Sequence, residues 1–409
     1  MFAHLKRQSV RPLSMALVSL IFGLLCTFEA TCGAQEMKYL QTEDGRLACV
    51  SAEGFPLAHT TQLVGMSGTD QATALPVQLS SALENVDAAL KQSGSSLADA
   101  VKLNVYLDPT QSNAALQDLL REKFDPQRRP AIAVVETRLP WADQVVAIDA
   151  VGVVRQNRPA GAAIQAQVSP EQIGATSLVC PVGPRVYVSG QAEKGDGSLR
   201  DATMQTMDSL YKTLRFLGLD KRDVIQVKCF LNPLSQSADT VAALSEFFGA
   251  ESMPPCILVE WKSALPIEIE LIATATNQTG QAQQRMLEVL TPPGMTTPTI
   301  YSRLMVVRHP ATIYTDGLYP SDPTASGEAQ LRSLFGNLKR LLDLSGSDWT
   351  HLVKATYYVS SSELSEWHNK VRPDYFNPRL PPAASKAVVT GVGRAEHGIT
   401  MDFIMVPGE

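Results

Sequence analysis

The chain has no CxxC pair, no cluster of cysteines and no run of lysine or arginine interleaved with aromatic residues. Of its six cysteines, Cys26 and Cys32 fall within the first 34 residues, and Cys49, Cys180, Cys229 and Cys256 stand alone in the remainder. Isolated thiols do not make the paired ligand spacing of a metal site. They read as small core hydrophobes, or as halves of a disulfide whose pairing the sequence does not name. A net charge of −6 with 19% charged residues gives no electrostatic footprint for nucleic acid or for an anionic membrane surface. An apolar run that spans a bilayer comfortably, roughly 20 residues long, is also missing, because the stretch from Leu13 to Cys26 falls short of it. That stretch follows His4, Lys6, Arg7 and Arg11 and leads to small and polar residues up to Gly33-Ala34. Residues 1–34 therefore read as a signal peptide, and the expectation is an exported protein, cleaved near Ala34 and free of the membrane thereafter.

What the chain does have is one module written three times. The middle copy runs from a helix around Ser209 through Gly218, the strand-like Val224 to Leu231, Asn232-Pro233, a helix ending Phe247-Phe248, and Pro254-Pro255-Cys256. The same landmarks occur earlier as Asn85, Gly94, Tyr106-Leu107, Asp108-Pro109, Phe124 and Pro130-Ala131-Ile132, and later as Asn337, Gly346, Tyr358-Val359, Ser360, Phe376 and Pro382-Ala383-Ala384. The first and third copies stay in step from Asn85/Asn337 to Pro130/Pro382, through Gly94/Gly346, Lys102/Lys354 and Phe124/Phe376. Hydrophobic periodicity alone does not require turn, strand and helix-end residues to coincide without a gap. The modules span 37–156, 168–277 and 286–409, with polar, small-residue linkers at Arg155 to Gln167 and Asn277 to Gln284.

Within each module the pattern reads β, α, β, α, β, β. The first helix shows an apolar face at Leu79, Leu83, Val86 and Leu90, repeated at Leu331, Leu334, Leu338 and Leu341, and that face must cover one side of a sheet. The closing strands, such as Val145 to Val154, are close to continuously apolar, which argues for cover on both faces. Three modules can supply that cover by packing their sheets together in a ring. The expected architecture is α+β, three tandem domains forming an intramolecular pseudo-trimer.

Val188-Ser189-Gly190-Gln191, Phe247-Phe248, Val259-Glu260 and Ile267-Glu268-Ile269-Glu270-Leu271-Ile272-Ala273 resemble the "SGQ", aromatic helix end, "VE" and "VEIEAIA" strings of the RidA (YjgF/YER057c/UK114) family. The resemblance implies a chorismate-mutase-like fold, sites in the clefts between neighbouring domains, and cofactor-free, metal-free hydrolysis of imines or enamines to keto acids and ammonia. It further implies an arginine after Pro-Ala, where this chain has Ile132, Cys256 and Ala384, and a glutamate matched by Glu268 alone, since the first copy offers Ala147 or Val146 and the third Thr400. A 2-imino acid needs a cation for its carboxylate, ideally arginine's fork, and an acid or positioned water for the imine.

The candidate site residues follow from that demand. Glu268 is the candidate acid, or else an edge carboxylate in solvent. Ser189 and Gly190 are candidates for substrate binding from the "SGQ" strand end. Cys256 occupies an arginine position, as a nucleophile or a buried thiol. Lys386 lies two residues beyond Ala384, which places both on one strand face, as a substitute point charge or a surface lysine. His59 and His309 precede early strands and could line altered clefts, His397 belongs to a hairpin, and Arg128 and Arg129 precede Pro130 as surface charges unless one turns inward. The functional expectation is a diverged protein binding a small metabolite, a carboxylate in particular, without cofactor or metal. An imine/enamine deaminase with an altered site and a non-catalytic scaffold are the alternatives. Ribonuclease action runs against the acidic balance.

Overall fold

The computed structural model describes residues 35–66, 74–155, 168, 171–275 and 285–408. The expected signal segment and, apart from Arg155, both expected linkers lie outside the described residues. The first module contributes β1 Glu36–Gln41, β2 Leu47–Glu53, β3 Leu57–Thr60, β4 Leu63–Val64, α1 Leu75–Gln92, β5 Ala100–Leu107, α2 Asn113–Lys123, β6 Ala131–Glu136 and β7 Val146–Val153. The second contributes β8 Ser177–Cys180, β9 Arg185–Gln191, α3 Leu199–Phe216, β10 Val224–Leu231, α4 Ser237–Phe248, β11 Cys256–Glu260 and β12 Ile267–Thr274. The third contributes β13 Leu287–Leu290, β14 Leu304–Val307, β15 Ala311–Thr315, α5 Gly327–Ser345, β16 Leu352–Val359, α6 Ser362–Val371, β17 Ala383–Val388, β18 Gly391–Val392 and β19 Ile399–Met405.

Local chemistry fixes the helix ends. Ser198 and Ser326 cap α3 and α5 by accepting from the backbone of Asp201 and Ala329, and Ser112 and Ser361 do the same for α2 and α6. Gly94, Gly218 and Gly346 follow α1, α3 and α5 with φ of 80°, 70° and 66°, a conformation that a Cβ resists. These are the three turn glycines on which the repeat was aligned.

Among the described residues three sheets result, in the orders β1-β2-β15-β19-β16-β17, β11-β10-β12-β9-β14-β13 and β18-β6-β5-β7-β3-β8, with β4 also on β7. Their membership does not follow the modules. The leading strand of each module pairs in a neighbour's sheet: β2 on β15 of the third module, β8 on β3 of the first, and β14 on β9 of the second. The chain then crosses into its own module's sheet through Gly54-Phe55-Pro56, Pro181-Val182-Gly183-Pro184 or Arg308-His309-Pro310. Each crossing ends in a proline, which starts a strand without needing a ladder N–H. This cyclic exchange satisfies backbone groups that an isolated module would leave at an open edge.

The helix-side faces form three separate apolar cores, represented by Leu79, Leu83 and Leu90 under α1, Leu210 and Leu214 under α3, and Leu334 and Leu338 under α5. The opposite faces meet in clusters that mix modules, such as Val50, Val101, Ile225 and Tyr314, and Tyr106, Phe230 and Tyr358. The expectation of a uniformly apolar inner face needs correcting. Lys102, Lys228, Lys354, Asp149, Glu270 and Asp402 are all buried. The period of two in Lys102-Leu103-Asn104-Val105-Tyr106 sends Leu103 and Val105 to the helices and the alternate residues inward.

Candidate functional site at the module boundaries

Strand register stacks the inward residues in rows. Lys102 stands opposite Val151, Asn104 opposite Asp149 and Tyr106 opposite Ala147. In the second module Gln226 faces Ile272, Lys228 faces Glu270 and Phe230 faces Glu268. In the third, Lys354 faces Ile404, Thr356 faces Asp402 and Tyr358 faces Thr400. The outermost of these rows therefore pairs Tyr106 with Ala147, Phe230 with Glu268 and Tyr358 with Thr400, and Glu268 is its one carboxylate.

At the boundary of the second and third modules the end of β9 meets the start of β17. Ser189 Oγ donates to the Ser302 carbonyl at 2.5 Å and accepts from Ala384 N–H at 2.7 Å. Gly190 N–H donates to Ser385 Oγ at 3.2 Å. The Glu268 carboxyl lies against the Cα of Gly190, in the space a Cβ would fill. Only glycine leaves it room. Burial and the like charge of Glu270 raise the Glu268 carboxyl to about 7, while Lys354, a hydrogen bond from Ser385 and Lys386 act the other way. Glu270 is buried too, yet it is held below the usual value by Lys354, whose Nζ is 2.6 Å away, and by Lys228.

Lys386 is half-buried, and burial together with the Arg372 guanidinium lowers its ammonium to about 8, against the pull of Glu268. Its Nζ turns to α6, donating to the Ser365 carbonyl at 3.2 Å and Asn369 Oδ1 at 2.8 Å. The period-two argument from Ala384 holds, and it carries Lys386 to the helix side while Ser385 takes the side facing Glu268. Beside Gly190 a groove of about 450 Å³ opens, lined by Gln191, Glu193, Ser209, Met295 and Arg303 among others. The Arg303 guanidinium sits 5.6 Å from the centre of the Tyr301 ring, and its Nε donates to the Thr296 carbonyl at 3.1 Å.

The other two boundaries are built differently. Between the first and second modules, Thr61 Oγ1 lies 2.6 Å from the Ile173 carbonyl and 2.8 Å from that of Cys256, and accepts from Cys256 N–H at 3.2 Å. Gln62 Oε1 accepts from Leu258 N–H at 3.1 Å. Thr61, Gln62, Cys256 and Leu258 are all essentially inaccessible. Cys256 is therefore placed apart from Glu268, Ser189, Gly190 and Lys386, which come together. Between the third and first modules, Asp316 accepts both terminal nitrogens of Arg129, at 2.9 and 2.5 Å, and the N–H of Ile132 at 2.7 Å. One of the two surface-charge candidates thus points inward, but its charge is already matched.

His59 lies apart from Glu268, buried in the interior where the three sheets face one another, and there burial and Arg185 lower it to about 4. His309 Nδ1 accepts from Ala311 N–H at 3.0 Å. His397 packs edge-on to Tyr319. Cys49, Cys180, Cys229 and Cys256 are free, buried thiols, and burial pushes Cys49 up to about 12 and Cys180 up to about 11. Sequence reasoning missed Ser385, Arg303 and the Asp316–Arg129 pair. Ser385 had a signal, its one-residue offset from Ala384. Asp316 had none, because its partners Arg129 and Ile132 come from the first module, and Arg303 had none because the groove it lines is completed by residues of the second module such as Gly190, Gln191 and Ser209.

Modules of one layout, bound by exchanged strands and meeting at pseudo-equivalent boundaries, define a tandem α+β protein with clefts between its repeats. A sequence model of the family described as endoribonuclease L-PSP matches three times, at residues 54–154, 166–275 and 292–402. The chain belongs to this family, known also as RidA or YjgF, and carries three copies of its domain. A RutC family protein of Pyrococcus horikoshii is 32% identical over 116 residues, covering 26% of this chain and 90% of its own length. Among solved structures, a YjgF family protein from Neisseria meningitidis matches at 24% identity over 30% of this chain and 98% of its own, with a TM-score of 0.23. Yeast Mmf1 matches at 22% identity over 30% and 99%, with a TM-score of 0.23.

Proposed function

We propose that the chain binds a small carboxylate-bearing metabolite in the cleft between its second and third modules, its repeats standing in for the subunits of a trimer. The observation that carries this reading is Glu268: a carboxyl poised near neutral pH, wedged against Gly190, bridged by Ser385 to the next module, and alone of its kind in its row. Lys386 supplies positive charge on one side of it, and Arg303 stands in the adjoining groove as a fork able to hold a carboxylate. The other two boundaries are closed by their own side chains, so one ligand per chain is expected.

A second reading, hydrolysis of an imine or enamine, is favoured by the same carboxyl. A group half-protonated near pH 7 can protonate the leaving nitrogen in one step and accept a proton from water in another. The test supplies the purified chain with a freshly generated 2-imino acid, follows ammonia and keto-acid release, and measures keto-acid binding by calorimetry. Binding at one site per chain, lost in Arg303→Met, supports the first reading, and turnover lost in Glu268→Gln supports the second. Absence of both leaves a scaffold and defeats the proposal. Export through residues 1–34 belongs to the same proposal and is checked by the amino-terminal residue of the secreted or periplasmic form.

A further inference from the structure

One residue before Tyr106 and Phe230, on the helix-side face, the first two modules pair apolar residues across the parallel strands: Val105 with Val134, and Cys229 with Leu258, all inside the apolar cores. The third module puts Tyr357 and Lys386 at the same two places. The Arg372 guanidinium lies 5.5 Å from the centre of the Tyr357 ring, and the His368 ring lies 4.2 Å from it. A position that is apolar elsewhere in the fold has thus gathered three basic side chains. Arg372 and His368 are buried and Lys386 is half-buried. Among the described residues no carboxylate oxygen pairs with Lys386 or Arg372, and Asp374, close by in the chain, is taken by Arg332. Lys386 Nζ donates instead to two neutral oxygens, the Ser365 carbonyl at 3.2 Å and Asn369 Oδ1 at 2.8 Å. Two donated bonds use up the N–H groups of a neutral amine, whereas an ammonium has a third to place. Burial and Arg372 favour the neutral form, bringing Lys386 to about 8 against the pull of Glu268, and burial with the same two cations keeps His368 uncharged.

We propose that Lys386 is a nucleophilic amine that condenses with a small 2-oxo acid to form an imine on the chain. A lysine becomes such a nucleophile when it is drawn out of water or set beside another cation, and Lys386 has both conditions. The neutral Nζ attacks the carbonyl carbon, the C–N bond forms, and the carbonyl oxygen leaves as water with the two amine protons, so the step needs no oxidant or reductant. Condensation removes the charge of the amine and leaves the Arg372 guanidinium still without a carboxylate. A carbonyl compound that brings a carboxylate of its own is therefore favoured over a plain aldehyde. This covalent role goes beyond the positive charge assigned to Lys386 above, and it does not rest on reversible ligand binding beside Glu268.

The test traps the imine on the full chain. Glyoxylate, or propanal as a carbonyl without a carboxylate, is added with cyanoborohydride, and intact mass with peptide mapping counts and places the adducts. Glyoxylate is expected to give one adduct per chain at Lys386, formed at pH 7 at least about tenfold faster than at exposed lysines such as Lys212. The rate should rise with pH to a midpoint near 8. Measured against Lys212, the preference of Lys386 for glyoxylate over propanal should be several-fold, and its absence overturns the choice of a 2-oxo acid. Lys386→Met returns the position to the apolar character of Val134 and Leu258, and should fold and lose the adduct. Arg372→Met should keep the adduct but slow trapping at pH 7 several-fold, because the ammonium then holds its proton to higher pH. A midpoint at the ordinary lysine value, adducts spread evenly over the surface lysines, or an adduct unchanged in Lys386→Met overturns the proposal.

Discussion

At the boundary of the second and third modules, Glu268 stands opposite Phe230 with Gly190 and Ser385 around its carboxyl. At the boundary of the first and second, the same row holds Ala147, and the room is taken by Gln62, Thr61 and Leu258, whose polar atoms bond across the seam. The backbones correspond and the chemistry does not. A homotrimer must repeat any change in all of its clefts, because one subunit sequence builds each of them. A fused chain is released from that constraint. One boundary can keep an ionisable group in a tight, partly desolvated place, a choice that costs stability, while the others are given over to side chains that hold the modules together. The Asp316–Arg129 pair at the remaining boundary is the plainest case of the latter.

The sharpest way to break the comparison is to neutralise the acid. If the cleft hydrolyses imines, Glu268→Gln should lower kcat/KM by about 100-fold or more, the usual range for a positioned acid or base. Thr400→Val, at the corresponding place in the third module, should leave turnover as it was. Equal losses from both changes, measured by ammonia release, would mean that the boundaries are functionally equivalent.

The same substitution should act on stability with the opposite sign. Burial and Glu270 raise the carboxyl from 4.5 to about 7, so the folded state favours its protonated form. That stabilisation is fully present below about pH 4.5 and is lost as pH rises through 7. Denaturant unfolding at pH 8 should find Glu268→Gln more stable than the parent by up to about 3 kcal/mol, an upper figure because the carboxyl is partly open to water. The difference should vanish near pH 4. A variant no more stable than the parent at pH 8 would place the carboxyl in ordinary solvent.

A smaller and purely structural effect is expected at the third boundary. Asp316→Ala would leave a guanidinium about one-fifth exposed without its carboxylate, and would strip Ile132 N–H of its acceptor. The expected loss is about 2 kcal/mol in unfolding experiments, with no change in ligand binding at the Glu268 cleft. Lost binding would show that the boundaries are coupled.

Much of this organisation was legible in the chain. Gly94, Gly218 and Gly346 announced three equivalent helix ends because a left-handed turn excludes nearly everything else. The strings around Ser189 and Glu268 named residues that the fold brings together at one boundary. The exchanged strands β2, β8 and β14 were not legible, since short apolar runs carry no mark of the edge that will receive them. Nor was the charged interior, although Lys102, Asn104 and Tyr106 alternate with apolar neighbours, because β7, apolar but for Asp149, carries the pattern of a strand covered on both faces by apolar groups. Pairs such as Arg129 with Asp316, 187 residues apart, depend on how modules dock, which local pattern does not encode.

The mildest prediction concerns Cys256, which takes the place where the family resemblance implies an arginine. Its thiol is wholly buried beside Cys229 in the helix-side core of the second module, and the backbone, not the sulfur, makes the cross-boundary bonds to Thr61. Removing the sulfur should therefore cost only a small cavity, about 1 kcal/mol, and leave both ligand binding and any turnover intact in Cys256→Ala. In the native parent protein, iodoacetamide should label the thiol only as fast as the chain unfolds, as expected of a cysteine held away from water. Rapid labelling, or loss of turnover in the alanine variant, would move the working cleft from Glu268 to the boundary of the first two modules and reverse the assignment of which boundary is the site and which the seam.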